Sequence, residues 1–484
     1  MNHLRRLPRP ARQWVPEDLA FHHIRAALAY GRSLLDTEVA GAPALLEWIQ
    51  RRHEYEACLR ETLLLARLDH GDQVADPSRR EWLNGLHQDL GAARTELDHR
   101  LDGHYLASPA RDRLPDALRA AVEGPLLVRQ RCWMESNLAL LERLQELQLE
   151  YIQLMGNLNV QWVGRPASLP ELRHQLKSGD PLTRRRVWEA RAAGLATLRP
   201  ELEDLLDETL ALREQVARNA GCQDWNGYLA LLGREPWPGE ESPGEESTLA
   251  PWDALASCTP EEDTAGAEPE QVLADLQEWL AVAEPAVDDT LTRLRTSRLL
   301  DLQDRPGKFE LDFCAWLPER RLPVLRLSAY QLSDDLCRFL RHLHAAHRAM
   351  TERGRALSRL EPVVELLPED LRWTVGVAEG LLRERALSPD QLQRSHQRLQ
   401  QLRRQELASA RRQERWAWWV HENPGAPREL RRLRWRHEQG GDRLNGAAPA
   451  ALEDTLFLES AFFLPEWGPP SLALVLETGW QGVL

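Results

Sequence analysis

The sequence predicts an almost entirely α-helical protein with one small β-sheet. Apolar residues recur at the three- and four-residue spacing of a helix through most of the chain. Strand-like patterns are confined to residues 159–163 and 305–328. The chain has 484 residues, of which 43% are hydrophobic, so it can bury a sizeable core and its bulk is not expected to be disordered.

The first strongly periodic helix covers residues 138–154. Leu141, Leu144, Leu147 and Tyr151 fall on one stripe, and Gly156 is placed to end the helix. The alternating stretch 159–163, followed by Gly164, then predicts a short strand and a turn.

The next helices are marked by their first residues. Ser168-Leu-Pro-Glu171 is a capping box with proline in the first turn. Asp180 followed by Pro181 predicts an N-cap with proline at the first helical position. A further helix keeps one face apolar except at Arg213 and is stopped by Gly221; the apolar residues of that face are Leu202, Leu205, Leu206, Leu210, Val216 and Ala217.

Residues 235–270 differ in composition from the rest of the chain. They hold eleven acidic residues, six prolines and three glycines, but no lysine or arginine. Such a stretch cannot bury enough apolar surface to fold by itself, so we expect an acidic loop or linker, with docking of a basic partner as the alternative. The predicted division of the chain is a helical region at 1–130, helical hairpins at 131–234, the acidic segment at 235–270 and a C-terminal region at 271–484.

Charge and cysteine usage exclude several classes of protein. The formal net charge is −14, which argues against a mainly nucleic-acid-binding protein. Six scattered cysteines form no C-x-x-C pair, so neither a zinc ribbon nor a disulfide scaffold is indicated. No signal peptide or membrane span is predicted, and we expect a cytoplasmic protein.

Three stretches contain residues capable of chemistry. Arg341-His-Leu-His-Ala-Ala-His347 carries three histidines, of which His344 and His347 share a helical face. Taken alone, this is a weak signal for a metal site. The other two stretches are the carboxylates Glu361, Glu365 and Glu369, and the aromatic run 462–468; alone, they are typical of a solvated face and of a core.

Taken in order along the chain, a set of segments resembles the oligoendopeptidase F branch of the thimet-oligopeptidase-like zinc metallopeptidases. One of them, Gly307-Lys-Phe-Glu-Leu-Asp-Phe-Cys314, is similar to the family's strand beside the substrate. The segments that carry the resemblance are residues 146–164, 169–173, 180–188, 211–228, 307–323 and 416–424. The resemblance implies an elongated helical body split by a deep channel, with the small sheet near 305–328.

The resemblance also locates the family's zinc motif, His-Glu-x-Gly-His, on this chain. In that motif the two histidines bind zinc and the glutamate is the general base. Here Arg341 takes the place of the first ligand, His342 that of the base and Ala345 that of the second ligand. A guanidinium cannot be deprotonated to bind zinc, and alanine offers no ligand atom. We therefore expect no zinc, with a site formed from His344, His347 and Glu365 as the alternative.

The remaining family positions are altered as well. The third zinc ligand is a glutamate on a following helix, and Glu361, Glu365 and Glu369 are all left open for that position. Tyrosines that would steady the oxyanion are replaced by Phe463, Leu464 and Trp467.

The resemblance therefore predicts an inactive pseudopeptidase that binds peptides or serves as the non-catalytic partner of an active relative. The alternatives are an active metal-dependent hydrolase with a rearranged zinc site and a helical scaffold. No nucleic-acid or membrane partner is expected. Arg341 is expected to attract a peptide's C-terminal carboxylate, and the predicted substrate-binding residues are Arg341, Phe313, Trp316, Phe462 and Trp467.

Overall fold

The computed structural model describes residues 2–176, 178, 180–232, 269–305, 307–309, 312–329, 336–352, 364, 366–384 and 389–438. Most of the acidic segment 235–270 and all of residues 439–484 lie outside these ranges. The prediction of a loop or linker therefore stays a prediction, as do the division into regions and the roles assigned to Phe462, Phe463, Leu464 and Trp467.

The described residues are mainly helical, which confirms the predicted fold class. The helices are α1 (Asn2–Arg5), α2 (Ile24–Ser33), α3 (Ala42–Asp72), α4 (Pro77–Ala107), α5 (Asp116–Cys132), α6 (Leu138–Gly156), α7 (Leu169–Gln175), α8 (Pro181–Thr197), α9 (Arg199–Asn219), α10 (Trp225–Leu231), α11 (Pro269–Ala283), α12 (Pro285–Thr296), α13 (Leu336–Glu352), α14 (Pro368–Glu384), α15 (Pro389–Glu422) and α16 (Arg428–Glu438). The strands are β1 (Val160–Trp162), β2 (Arg165–Ala167), β3 (Leu300–Gln303), β4 (Phe313–Leu317) and β5 (Leu322–Ala329).

The helix ends follow the predicted capping residues. The Ser168 side chain accepts a hydrogen bond from the Glu171 amide at 3.2 Å, which starts α7. The Asp180 carboxylate accepts bonds from the Leu182 and Thr183 amides, which starts α8. Helix α6 ends at Gly156, where an added Cβ would lie 2.5 Å from the Val74 side chain, so the position has no room for a larger residue.

The larger sheet has the strand order β3-β5-β4, with β3 parallel and β4 antiparallel to β5. Strands β4 and β5 fall within the predicted stretch 305–328 apart from the last residue of β5, whereas β3 begins earlier, at Leu300. Side chains of β4 are buried along the whole strand, and α13 packs across β4 and β5. The sheet and α13 therefore share one hydrophobic core, to which Trp316, Leu325 and Phe339 belong.

Lys308 links strands β3 and β5 through its buried ammonium group. Its Nζ donates to the carbonyls of Gln303 and Leu327, both at 2.8 Å, and lies 3.1 Å from Asp301 Oδ1. The side chain is fully buried, and burial lowers the pKa of its ammonium to about 8 although Asp301 opposes the shift. The chain has 61 basic residues, but only Lys177 and Lys308 are lysines. A compact ammonium fits several converging carbonyls better than a planar guanidinium.

Candidate functional site

Helix α13 places the motif residues on two different faces. Arg341, His344 and His347 are half-buried and recur every third residue, so they share one face. His342 and Ala345 lie on the opposite, buried face; Ala345 is 0% exposed. The position that the resemblance assigns to the family's second zinc ligand is therefore occupied by a methyl group in the core.

His342 is held neutral by its surroundings. Burial, together with the nearby Arg341 and Arg338, lowers the pKa of its imidazole to about 4, although Asp312 opposes the shift. Asp312 itself is ionised: burial works to raise its pKa, but the attraction of Arg338 outweighs burial and the pKa falls to about 2. A neutral imidazole of such low pKa is a poor base for activating water at neutral pH.

His344 is engaged by an acidic residue that the sequence analysis did not single out. Its Nδ1 lies 2.6 Å from Oδ1 of Asp370, which is 0% exposed at the start of α14. Asp370 also accepts bonds from Arg348 at 2.9 Å and from the Leu367 amide at 2.7 Å. Burial works to raise the pKa of Asp370, but these bonds from His344 and Arg348 outweigh it and lower the pKa. Asp370 is thus the carboxylate that the following helix directs at α13.

Glu369, one of the three glutamates proposed for the third ligand position, does not take this place. Glu369 is 53% exposed and lies 3.4 Å from Arg348, and it is Asp370, one residue further on, that meets a histidine. Glu361 and Glu365 lie outside the described residues. A spacing of one residue on a helix turns a side chain by about 100°, so sequence proximity could not distinguish Glu369 from Asp370.

The alternative metal site from His344 and His347 is not assembled by the residues that the structure describes. The two rings lie 6.2 Å apart, but Nδ1 of His347 lies 3.0 Å from the Thr290 hydroxyl and Nδ1 of His344 faces Asp370. Among the described residues, no group of three or more histidine, cysteine, aspartate or glutamate side chains is arranged to hold a metal ion. These residues do not fit the zinc that the family resemblance implies.

The two described aromatic residues predicted to bind substrate lie in different settings. Trp316 is 1% exposed and packs within the core shared by the sheet and α13. Phe313 is 5% exposed but also lines a cavity, together with Phe309 and Arg326. Of the pair, Phe313 is the one placed beside open space.

Open space in the described part of the chain includes a row of three cavities along the seam between α4 and α6. The cavity at Phe313 has a volume of about 40 Å³, the next about 100 Å³ and the third about 330 Å³. His87 and Gln145 line all three, so the cavities adjoin one another. The row runs from the sheet to the junction of α5 and α10.

Comparison with known structures identifies the fold. A structure of Pz peptidase A with an inhibitor superposes with a TM-score of 0.79 over 95% of this chain and 87% of that one, at 12% identity. A protein assigned as oligoendopeptidase F from Bacillus anthracis strain Ames gives a TM-score of 0.75 over 97% of this chain and 94% of that one, at 13% identity. A second structure assigned as oligoendopeptidase F gives 0.74 over 95% of this chain and 83% of that one, at 15% identity.

Sequence comparison alone does not reach these proteins. No protein-family model and no curated sequence matches the chain. None of the helices in the described ranges is both long enough and apolar enough to cross a membrane. At such low identities the superpositions establish architecture rather than activity, and they confirm the resemblance at that level: the chain has the fold of the oligoendopeptidase F structures.

Proposed function

We propose that this chain is a pseudopeptidase, which binds peptides without hydrolysing them and acts alone or as the non-catalytic partner of an active relative. The observation that carries the proposal is the set of residues at the zinc-motif positions of α13: the guanidinium of Arg341, the buried neutral imidazole of His342 and the buried methyl group of Ala345. Without a metal the site lacks both the Lewis acid and the activated water of the related peptidases.

Electrostatics around the helix support the same conclusion. The carboxylate of Asp370 is already bound by His344, Arg348 and a backbone amide, so its negative charge is neutralised within the protein. The bond from His344 Nδ1 to Asp370 leaves the other ring nitrogen of His344 available, but the described residues place no group of three metal ligands around it. Peptide binding is supported by the row of cavities, which offers open space between α4 and α6.

The experiment is metal content per mole of purified, tag-free chain, followed by incubation with a peptide mixture and mass spectrometry. We expect zinc near zero and peptides of unchanged mass. One zinc per chain together with cleavage, both lost in His344→Ala and His347→Ala, would contradict the proposal and favour the rearranged hydrolase. His437→Ala is the matched control, because His437 is exposed on α16 and away from α13.

A further inference from the structure

The third cavity, of about 330 Å³, is enclosed by α3, α4, α5, α6 and α10. Its volume falls in the range of small-molecule pockets, roughly 300–1,000 Å³. The lining includes Met134, which is 37% exposed, so the cavity reaches the surface there. No residue of α13 contributes to it, so it is separate from the altered zinc motif.

The lining of the cavity carries more positive than negative charge. Four arginines contribute to it, Arg60 and Arg67 from α3, Arg94 from α4 and Arg129 from α5, against the two carboxylates of Asp98 and Asp102. The whole chain has a net charge of −14, so the charge of the cavity lining is opposite in sign to the net charge of the protein. A cavity of this kind favours an anion.

Asp102 and Arg129 form an ion pair whose charges offset each other, which leaves three arginines against Asp98 in the lining. Arg129 donates to Asp102 through Nε at 2.9 Å and Nη2 at 3.0 Å, and the buried Arg52 also donates to Asp102. Asp102 itself is 1% exposed. The carboxylate is therefore enclosed between two guanidinium groups and presents little negative charge to the cavity.

Arg94 is held more loosely than this pair. Its Nε lies 3.5 Å from Asp98 Oδ2, which exceeds the distance of a charge-assisted hydrogen bond. Burial, and then the nearby Glu56, raise the pKa of Asp98 against the opposing pull of Arg94, so its negative charge is disfavoured as well.

The rest of the lining is largely apolar and aromatic. The rings of Trp133 and His99 have centroids 4.3 Å apart and are tilted by 44°, and Tyr228 of α10 is 6% exposed. Leu63, Leu90, Leu138 and Leu141 also line the cavity. A ligand that fills the cavity must therefore combine an anionic group with an apolar side chain.

We propose that this cavity binds the C-terminal residue of a peptide, with its free carboxylate against Arg94 and an apolar side chain against Trp133 and the leucines. The inference rests on the proposed peptide-binding function. A carboxylate matches the planar guanidinium fork.

The test measures binding of a fluorescein-labelled pentapeptide that ends in leucine, as the free acid and as the C-terminal amide, with N-acetyl-leucine as a competitor. We expect the acid to bind at least about tenfold more tightly than the amide, since a charge-assisted bond is lost in the amide. N-acetyl-leucine is expected to compete only weakly, because it lacks the rest of the peptide.

Two variants address the cavity itself. Gly91→Leu fills the cavity without removing a charge. An added Cβ at this position lies 3.6 Å from the Glu142 carboxylate, in ordinary contact, and leucine has a higher helix propensity than glycine. Arg94→Gln removes a guanidinium. Each should weaken binding of the acid about tenfold while thermal unfolding shows a folded protein.

The controls change the same residue types elsewhere. Gly103→Leu lies on the same helix, where an added Cβ meets nothing within 4 Å. Arg185→Gln removes a guanidinium from another i,i+4 pair, with Glu189 on α8. Both should leave the affinity unchanged.

The outcomes separate this inference from the proposed function. Equal affinity for acid and amide, or undiminished binding in Gly91→Leu, overturns the cavity assignment and leaves peptide binding in place. Tight binding of N-acetyl-leucine without binding of the peptide overturns the peptide as ligand in favour of a small carboxylate. Binding of neither probe overturns the inference, while metal content and cleavage still decide whether the chain is inactive.

Discussion

Two regions of the molecule contain clusters of arginine, aspartate and histidine side chains but use these side chains differently. One region is the contact between α13 and α14, and the other is formed by the helices around the third cavity. At α13 the acidic residue, Asp370, is 0% exposed and its oxygens are bound within the protein. Around the cavity, charges of the same types border about 330 Å³ of open space. The difference shows that side chains of the same types form internal bonds in one region and border open space in another.

The largest expected effect is on the stability of the α13–α14 contact. Asp370→Asn should lower the free energy of unfolding by about 3–5 kcal/mol, because it removes the buried carboxylate that binds Arg348 at 2.9 Å and His344 at 2.6 Å. Since the pKa of Asp370 is lowered by folding, its stabilisation is present above the unfolded pKa and is lost as pH falls through the folded one. Urea unfolding checks this.

Asp204→Asn is the control for that measurement. Asp204 is 71% exposed on α9 and pairs with Arg428, so its loss should change stability by at most about 1 kcal/mol. If both variants unfold at the same urea concentration, the α13–α14 cluster does not have the structural role assigned to it.

His342 should make the stability of the region around α13 decrease in mild acid. Its folded pKa of about 4 lies below the unfolded value of about 6.5, so the unfolded state binds more protons between these two values. Stability should therefore fall by up to about 3 kcal/mol as pH drops from about 6.5 to 4. His342→Leu should flatten this part of the profile, whereas His437→Leu, at an exposed position, should leave it unchanged.

Asp98 should behave in the opposite way to Asp370. Its pKa is raised by folding, so the folded state binds the extra proton and ionisation at neutral pH costs stability rather than adding to it. Asp98→Asn should therefore leave stability at pH 7 unchanged or slightly higher, and should tighten binding of the free-acid peptide a few-fold. A marked loss of stability at pH 7 would show that Asp98 is a structural ion-pair residue like Asp370.

The smallest effect is expected for Arg341→Ala. If the cavity binds the peptide's carboxylate, this variant should bind the free-acid peptide within about twofold of the unmodified chain, less than the tenfold expected for Arg94→Gln. The sequence alone assigned the carboxylate to Arg341. A loss confined to Arg341→Ala would restore that assignment and remove the cavity from the binding site.

Local features of the fold were predictable because each depends on nearby residues. Gly156, Ser168 and Asp180 mark helix ends through their own backbone or side-chain bonds, and α6, α7 and α8 begin or end where these residues predict. The strands β4 and β5 were located by composition, whereas β3 was missed because Leu300–Gln303 has no distinctive pattern of its own and is ordered by pairing with β5.

The candidate sites were less predictable, since they depend on tertiary packing. The positions that the resemblance assigns to the zinc motif, Arg341, His342 and Ala345, fall in one short stretch of sequence. Asp370, in contrast, is 26 residues from His344 along the chain, with nothing to distinguish it from Glu369 before the helices pack. The cavity was still harder to predict from the sequence, because the residues that line it are spread along the chain from Arg60 to Leu232.

The buried Lys308 has a practical consequence for following the protein's motions. A protease specific for lysine has two target residues in the 484-residue chain, Lys177 and Lys308, and the bond at Lys308 is sheltered while its ammonium is held by the strands. Cutting at Lys308 therefore requires the sheet beneath α13 to open, and at low protease its rate measures how often that opening occurs. The scarcity of lysine turns one internal residue into a reporter of local unfolding.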